Sequence, residues 1–156
     1  ITYLKVGSVY RYLAVVMDLH TRKVLGVALG PRLSQGLALA ALEMALREGC
    51  PEVHHSDRGV QYTSRAYVER LLGLGVRLSY AGTGRPWENG HAERLIRTIK
   101  EEWVALREYR TLAEARASVK AFVLEVYDRK RPHSALGYLT PEAFSESLWK
   151  GGGSPD

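Results

Sequence analysis

Apolar and polar positions alternate in short blocks at the start of the chain. Two β-rich runs, Ile1 to Val6 and Val9 to Asp18, flank Gly7-Ser8, a dipeptide that predicts a hairpin closed by a type II′ turn. Tyr10 and Tyr12 alternate with polar neighbours before the run becomes solidly apolar from Leu13 to Met17, which suits a central strand. Asp18 to Lys23 reads as a turn into a third strand, Val24 to Leu29, completing an antiparallel meander. Ser34 then caps a Leu- and Ala-rich helix, Gln35 to Glu48, that stops at Gly49. Pro51 leads to a short strand ending at Asp57, and Ser64 caps a helix from Arg65 to Leu72 before a last strand, Val76 to Tyr80. Strand, helix, strand implies a crossover and parallel pairing, so the sheet is expected to be mixed.

The second half reads as helices. Ala81 to Glu88, with two glycines and a proline and no periodicity, predicts a mobile loop. From Asn89 onward, at about 100° per residue, Ala92, Leu95, Ile96, Ile99 and Trp103 share one face, while Glu93, Arg97 and Lys100 share another. Thr111 and Glu114 form a capping box for a helix to about Tyr127, with Ala115, Val119, Phe122, Val123 and Val126 as its core stripe. Thr140 and Pro141 open a final helix, and Gly151 to Asp156 reads as a flexible tail. Alternating strands and helices predict one three-layer α/β domain over residues 1–150.

Composition narrows the function classes. The 156 residues, 46% apolar and 25% charged, have no apolar run of membrane-spanning length and no signal-peptide pattern, so a cytoplasmic protein is expected. Cys50 is the only cysteine, which excludes an intramolecular disulfide and a cysteine-cluster zinc site. The net charge is +5, and 16 of the 22 cations are Arg. That balance suits a phosphate-rich partner, and equally a surface charged for solubility.

The candidate chemistry sits in three stretches. Gly84 to Glu102 places Glu93 among Arg97 and Lys100 at the start of an amphipathic helix; taken alone, these are ordinary i,i+4 and i,i+3 surface pairs. Glu52 to Ser64 places Asp57 at a strand end, where an acid faces a crevice. Thirty-five residues separate the two acids. The pattern His55-Ser56-Asp57-x-Gly59-x-Gln61-Tyr62, then Asn89-x-x-x-Glu93, and finally Tyr127 to Pro141 (YDRKRPHSALGYLTP) resembles the catalytic core of insertion-sequence transposases related to retroviral integrases. The three motifs span most of the chain in the family's order. Glu88, Gly90, Arg94 and Asp128 depart from that pattern, which usually has Asp, Ala, a small polar residue and Asn there.

The resemblance implies a ribonuclease H-like fold with a mixed five-stranded sheet flanked by helices. It implies bacterial, nucleoid-associated DNA strand cleavage and strand transfer, with two Mg²⁺ or Mn²⁺ ions on Asp57, Glu93 and a third acid directly before Ile1. Without that acid, this chain is expected to bind metal poorly and to neither cut nor join DNA. Asp18 is the candidate stand-in at a strand end, with a turn-capping role the preferred explanation of it. Arg97 and Lys100, with the basic cluster Arg129, Lys130, Arg131 and His133, are expected on the DNA backbone. His55 either lines the site or is a hydrogen-bonded strand histidine, and Asn89 either caps its helix or orients substrate. Element ends and target DNA are the implied partners, with two active sites meeting in an oligomer on DNA. Two rival readings remain at this level: a degenerate DNA-binding or assembly module, and a ribonuclease H-type nuclease acting on hybrids.

Overall fold

Strands β1 (Thr2–Val6), β2 (Val9–Met17) and β3 (Val24–Gly30) pair as an antiparallel meander. The structure, a computed structural model, describes residues 1–151. Val6 faces Val9 across the first turn, where Gly7 has φ +58° and Ser8 does not share the positive value. Positive φ at the first central position alone is the type II′ signature that glycine accommodates. The second turn is closed by Asp18, whose Oδ1 accepts the N–H groups of His20 (2.7 Å) and Thr21 (3.1 Å).

Period-two alternation sends the sheet's side chains to two different layers. Leu4, Val6, Leu13 and Leu29 meet Leu95, Ile99, Val119 and Val123 on one face, from α4 (Gly90–Glu102), α5 (Leu112–Ala121) and the segment after it. Ala14 and Ala28 meet Leu37 and Ala41 of α1 (Gln35–Leu46) on the other face. Ser34 caps α1 by accepting the Leu37 N–H at 3.2 Å. Packing here is close enough to demand glycine, since a Cβ on Gly26 would lie 2.0 Å from the Ala41 carbonyl oxygen. The result is helix, sheet, helix, as expected.

The expected five-stranded sheet is corrected to a three-stranded and a two-stranded one. β4 (Val53–Ser56) pairs in parallel with β5 (Arg77–Tyr80), crossing over through α2 (Val60–Thr63) and α3 (Arg65–Leu72). Ile1 donates to the Tyr62 hydroxyl at 3.3 Å and lies within range of the Asp57 charge. β1 therefore begins where β4 finishes, and no ladder joins the two sheets. A second cluster, Ala38, Leu42, Tyr67, Leu71 and Val76, with Leu78 of β5 against it, joins α1 to α3 and the β5 strand. Ser64 turns its hydroxyl back to the Gln61 carbonyl instead of giving α3 the cap that its place before Arg65 predicts.

The Thr111 and Glu114 capping box is present, with both bonds made. After α5 the chain widens into a π-helical segment, Phe122–Tyr127, where a single α-helix was expected. α6 (Pro141–Gly151) includes the glycine assigned to the tail; residues 152–156 lie outside the described residues. No helix among the described residues is long and apolar enough to cross a membrane.

Candidate active site

β4 and α4 bring Asp57 and Glu93 to one cleft of about 740 Å³. Asp57 follows the last residue of β4, and its Oδ1 accepts the Gly59 N–H at 2.7 Å, which orients the carboxylate. Glu93 lies in the first turn of α4, where the unpaired N–H groups of the helix favour an acid. Both carboxylates are exposed, and neither forms a salt bridge among the described residues. Acids left without a cation partner suit a divalent ion with a preference for carboxylate and water oxygens.

The walls of the cleft are more ordered than its acids. Tyr62 carries a hydroxyl pushed well above its usual range by burial and by the nearby Asp57 charge. His55 donates nothing to solvent: Nδ1 stands 2.9 Å from Ser79 Oγ and Nε2 stands 3.0 Å from the Glu88 carbonyl oxygen. A carbonyl only accepts, so Nε2 carries a proton, and in the neutral ring Nδ1 takes the Ser79 hydroxyl's. His55 thus both lines the cleft and ties the loop before α4 to β5. His54 points the other way, to the Tyr67 hydroxyl at 2.9 Å, and burial lowers its pKa.

That loop closes on itself around Glu88. Its Oε2 accepts the Gly82 N–H at 2.7 Å and its Oε1 accepts from Arg85 at 3.3 Å. The backbone bond from Gly82, then Arg85, holds this carboxyl below the usual carboxylate range. Glu88, where the family pattern has Asp, is therefore the loop's clasp. Asn89 occupies the cap position of α4 but makes no side-chain cap bond. The capping reading of Asn89 is corrected: its φ of -114° and ψ of 22° are not the extended backbone of a cap, and the residue borders the cleft.

Asp18 lines the cleft, and its Oδ1 is engaged by two N–H groups of its own turn, the competing role that turn sequences predict. Among the described residues no group of three or more His, Cys, Asp and Glu is placed to hold a metal.

The cations divide sharply. Arg97 is exposed on α4, and Lys100 places Nζ 4.8 Å from the centroid of the Tyr3 ring. Arg129 is held by Glu125 and Glu142, both at 3.2 Å, and Arg131 makes a bidentate pair with Glu102 at 2.9 and 2.8 Å. Lys130 is exposed and forms no salt bridge among the described residues. His133 packs edge-on to Tyr127 at 4.9 Å, its Nε2 buried without a partner, and burial lowers its pKa. None of these four loop residues lines the cleft. Sequence reasoning missed Ile1, Tyr62 and the α6 residues Ser145 and Trp149 as cleft walls; Tyr62 stands within the motif quoted for Asp57, whereas α6 carries no local signal.

Models of the integrase core domain match residues 1–86 and 74–141. The chain belongs to the integrase core domain family. Within the integrase superfamily its relatives are insertion-sequence transposases. The transposase for insertion sequence element IS904 of Lactococcus lactis is 30% identical over 93% of this chain and 58% of its own length. Transposase InsF for insertion sequence IS3A of Escherichia coli strain K12 is 37% identical over 92% of this chain and 51% of its own length. The chain thus spans about half the length of the curated relatives it matches. In structure it superposes on the HTLV-2 integrase catalytic core domain, solved in complex with magnesium in a trimeric form, with a TM-score of 0.71 at 16% identity, covering 92% of this chain and 90% of that one. The fold of this integrase core is therefore ribonuclease H-like.

Proposed function

We propose that this chain is the DNA-processing core of an insertion-sequence transposase, cutting strands and joining element ends to target DNA with divalent metal. One observation carries the reading: β4 and the first turn of α4 deliver two exposed, unpaired carboxylates, Asp57 and Glu93, to one cleft. When bound there, Mg²⁺ or Mn²⁺ supplies activation of the attacking hydroxyl or water and stabilisation of the leaving oxygen. Asp57 is oriented for this by the Gly59 N–H, and Glu93 by its helix. Asn89, free of a capping bond, is available to position the substrate. Arg97 and Lys100 hold backbone phosphates along α4, with Lys130 as a more distant contact. Arg129, Arg131 and His133 support the DNA surface by fixing the loop that carries them.

A third carboxylate before Ile1 is part of this reading; the Ile1 nitrogen, which reaches the Tyr62 hydroxyl and feels the Asp57 charge, supports it. Two acids alone hold metal weakly, so residues 1–156 by themselves are expected to cut and join DNA poorly. Joining two element ends requires two cores, which an oligomer on DNA provides.

The test is a calorimetric titration of Mn²⁺ into this chain and into one extended upstream of Ile1, with Asp57→Asn and Glu93→Gln in each. Metal binding should strengthen in the extended chain and disappear in both variants, together with strand transfer. Equal binding to both chain lengths, or binding that survives Glu93→Gln, would sink the three-carboxylate account.

A further inference from the structure

The β1–β2 hairpin carries a surface that the acid cleft does not use. Tyr3 pairs with Tyr12 and Lys5 with Tyr10, so these four side chains share one face of the sheet. α1 covers the inner part of that face, around Tyr12, Ala14 and Val16. The outer part is open, leaving Tyr3 56% and Tyr10 59% exposed. Their rings meet edge to face, 5.2 Å apart at 82°. Lys5 is exposed beside them, and the Lys100 ammonium reaches the Tyr3 ring from α4 at 4.8 Å. Neither Lys5, Arg97 nor Lys100 forms a salt bridge among the described residues. An aromatic pair open to water and bordered by unpaired cations matches one ligand chemistry: a π-faced base on a phosphate backbone.

Position sharpens the match. Lys100 is seven residues after Glu93, about 10 Å along the helix at roughly 1.5 Å per residue, and Arg97 lies between. At about 3.4 Å per stacked base step that distance is at most about three nucleotides, and fewer along an extended unpaired strand. Bases inside a duplex hide their faces in the stack, so only an unpaired base has a face to offer. We propose that Tyr3 and Tyr10 stack an unpaired base of a DNA end, within about three nucleotides of the phosphodiester held at Asp57 and Glu93, while Arg97 and Lys100 carry the intervening phosphates. In the free chain Lys100 covers the Tyr3 ring. A phosphate draws the ammonium away, and since an exposed cation–π contact is weaker than base stacking, the exchange favours the base. This proposal rests on the strand-transfer reading of the cleft.

The experiment titrates this chain into two fluorescent DNAs, a blunt duplex and the same duplex ending in about three unpaired nucleotides that include 2-aminopurine. Tyr3→Val and Tyr10→Val, which keep strand-forming side chains, should each weaken binding to the tailed DNA by about 5- to 150-fold. Both should leave the blunt duplex within about twofold, and Tyr3→Phe should retain wild-type behaviour. Quenching of 2-aminopurine should require Tyr3. Equal losses on both DNAs would assign these tyrosines a structural role and overturn the platform. So would a wild type that binds both DNAs with no preference for the tail. A wild type that binds neither DNA would overturn the functional reading and the platform together.

Discussion

Arg97 and Lys100 on α4 and Arg129 and Arg131 after the π segment are four cations of one kind, and the fold treats them in opposite ways. The α4 pair stands free of carboxylates, one and two turns from Glu93. The later pair is committed to Glu125, Glu142 and Glu102. The surrounding backbone is fixed as well: Asp128 Oδ1 accepts the Val24 N–H at 3.0 Å and the Asp128 carbonyl accepts the Glu142 N–H at 3.0 Å. A basic motif is thus a clasp joining α6, α4 and β3, while two scattered cations on a helix remain available for phosphate. Charge in a sequence counts cations; only the fold shows which of them are already neutralised.

The largest expected effect tests the clasp. Asp128 is buried with Oδ2 unpartnered, and burial pushes its pKa up to about 6 despite the Val24 N–H. Its folded-state value lies above the unfolded one, so protonation favours folding: the contribution is complete below about pH 4 and is lost as pH rises through about 6. Asp128→Asn keeps the acceptor for Val24 and removes the buried charge. It should stabilise the protein by about 3 kcal/mol at pH 8, a gain in Tm of about 6 to 12 °C, and by almost nothing at pH 4. An unchanged Tm at pH 8 would show that this end of the segment is not an anchor.

The next effect tests the free pair. Neutralising Arg97 and Lys100 together should lower DNA affinity by about tenfold and flatten the slope of log affinity against log salt by about 1.8. Arg129→Gln with Arg131→Gln should leave that slope nearly unchanged; an equal flattening would erase the distinction between the two groups. The smallest effect is Arg131→Ala, which should cost about 1 kcal/mol in urea unfolding, as expected for a half-exposed bidentate pair, with the blunt-duplex affinity kept.

Local chemistry made much of this legible. The Gly7-Ser8 turn, the Ser34 cap, the Thr111 and Glu114 box and the strand end at Asp57 each depend on neighbours within a few residues, and each is present. Glu93 and Asp57 were paired by motif spacing and meet at one cleft. What stayed hidden depends on distant partners. Arg131 finds Glu102 twenty-nine residues away, a distance at which sequence carries no pairing signal. Asn89 looked like a cap, but a 3-10 turn, Pro86–Asn89, enters α4 ahead of it and leaves the side chain unused. The break between the three-stranded and two-stranded sheets is a matter of long-range packing that strand propensity cannot reveal.

The π segment has a consequence for how this chain can change length. Across Phe122–Tyr127 the wider turns place the Asp128 N–H on the Val123 carbonyl, five residues back, at 3.0 Å. Removing one residue there would let the same stretch wind as an ordinary α-helix, with its hydrogen bonds restored. The flanking turns would keep their phase, because the widened turn absorbs the extra residue as a local bulge, so Asp128 would still face Val24 and the basic loop Glu102. One residue is thus the length change this segment can give up, whereas a deletion in the regular turns of α5 would turn the basic loop by about 100° away from its partners.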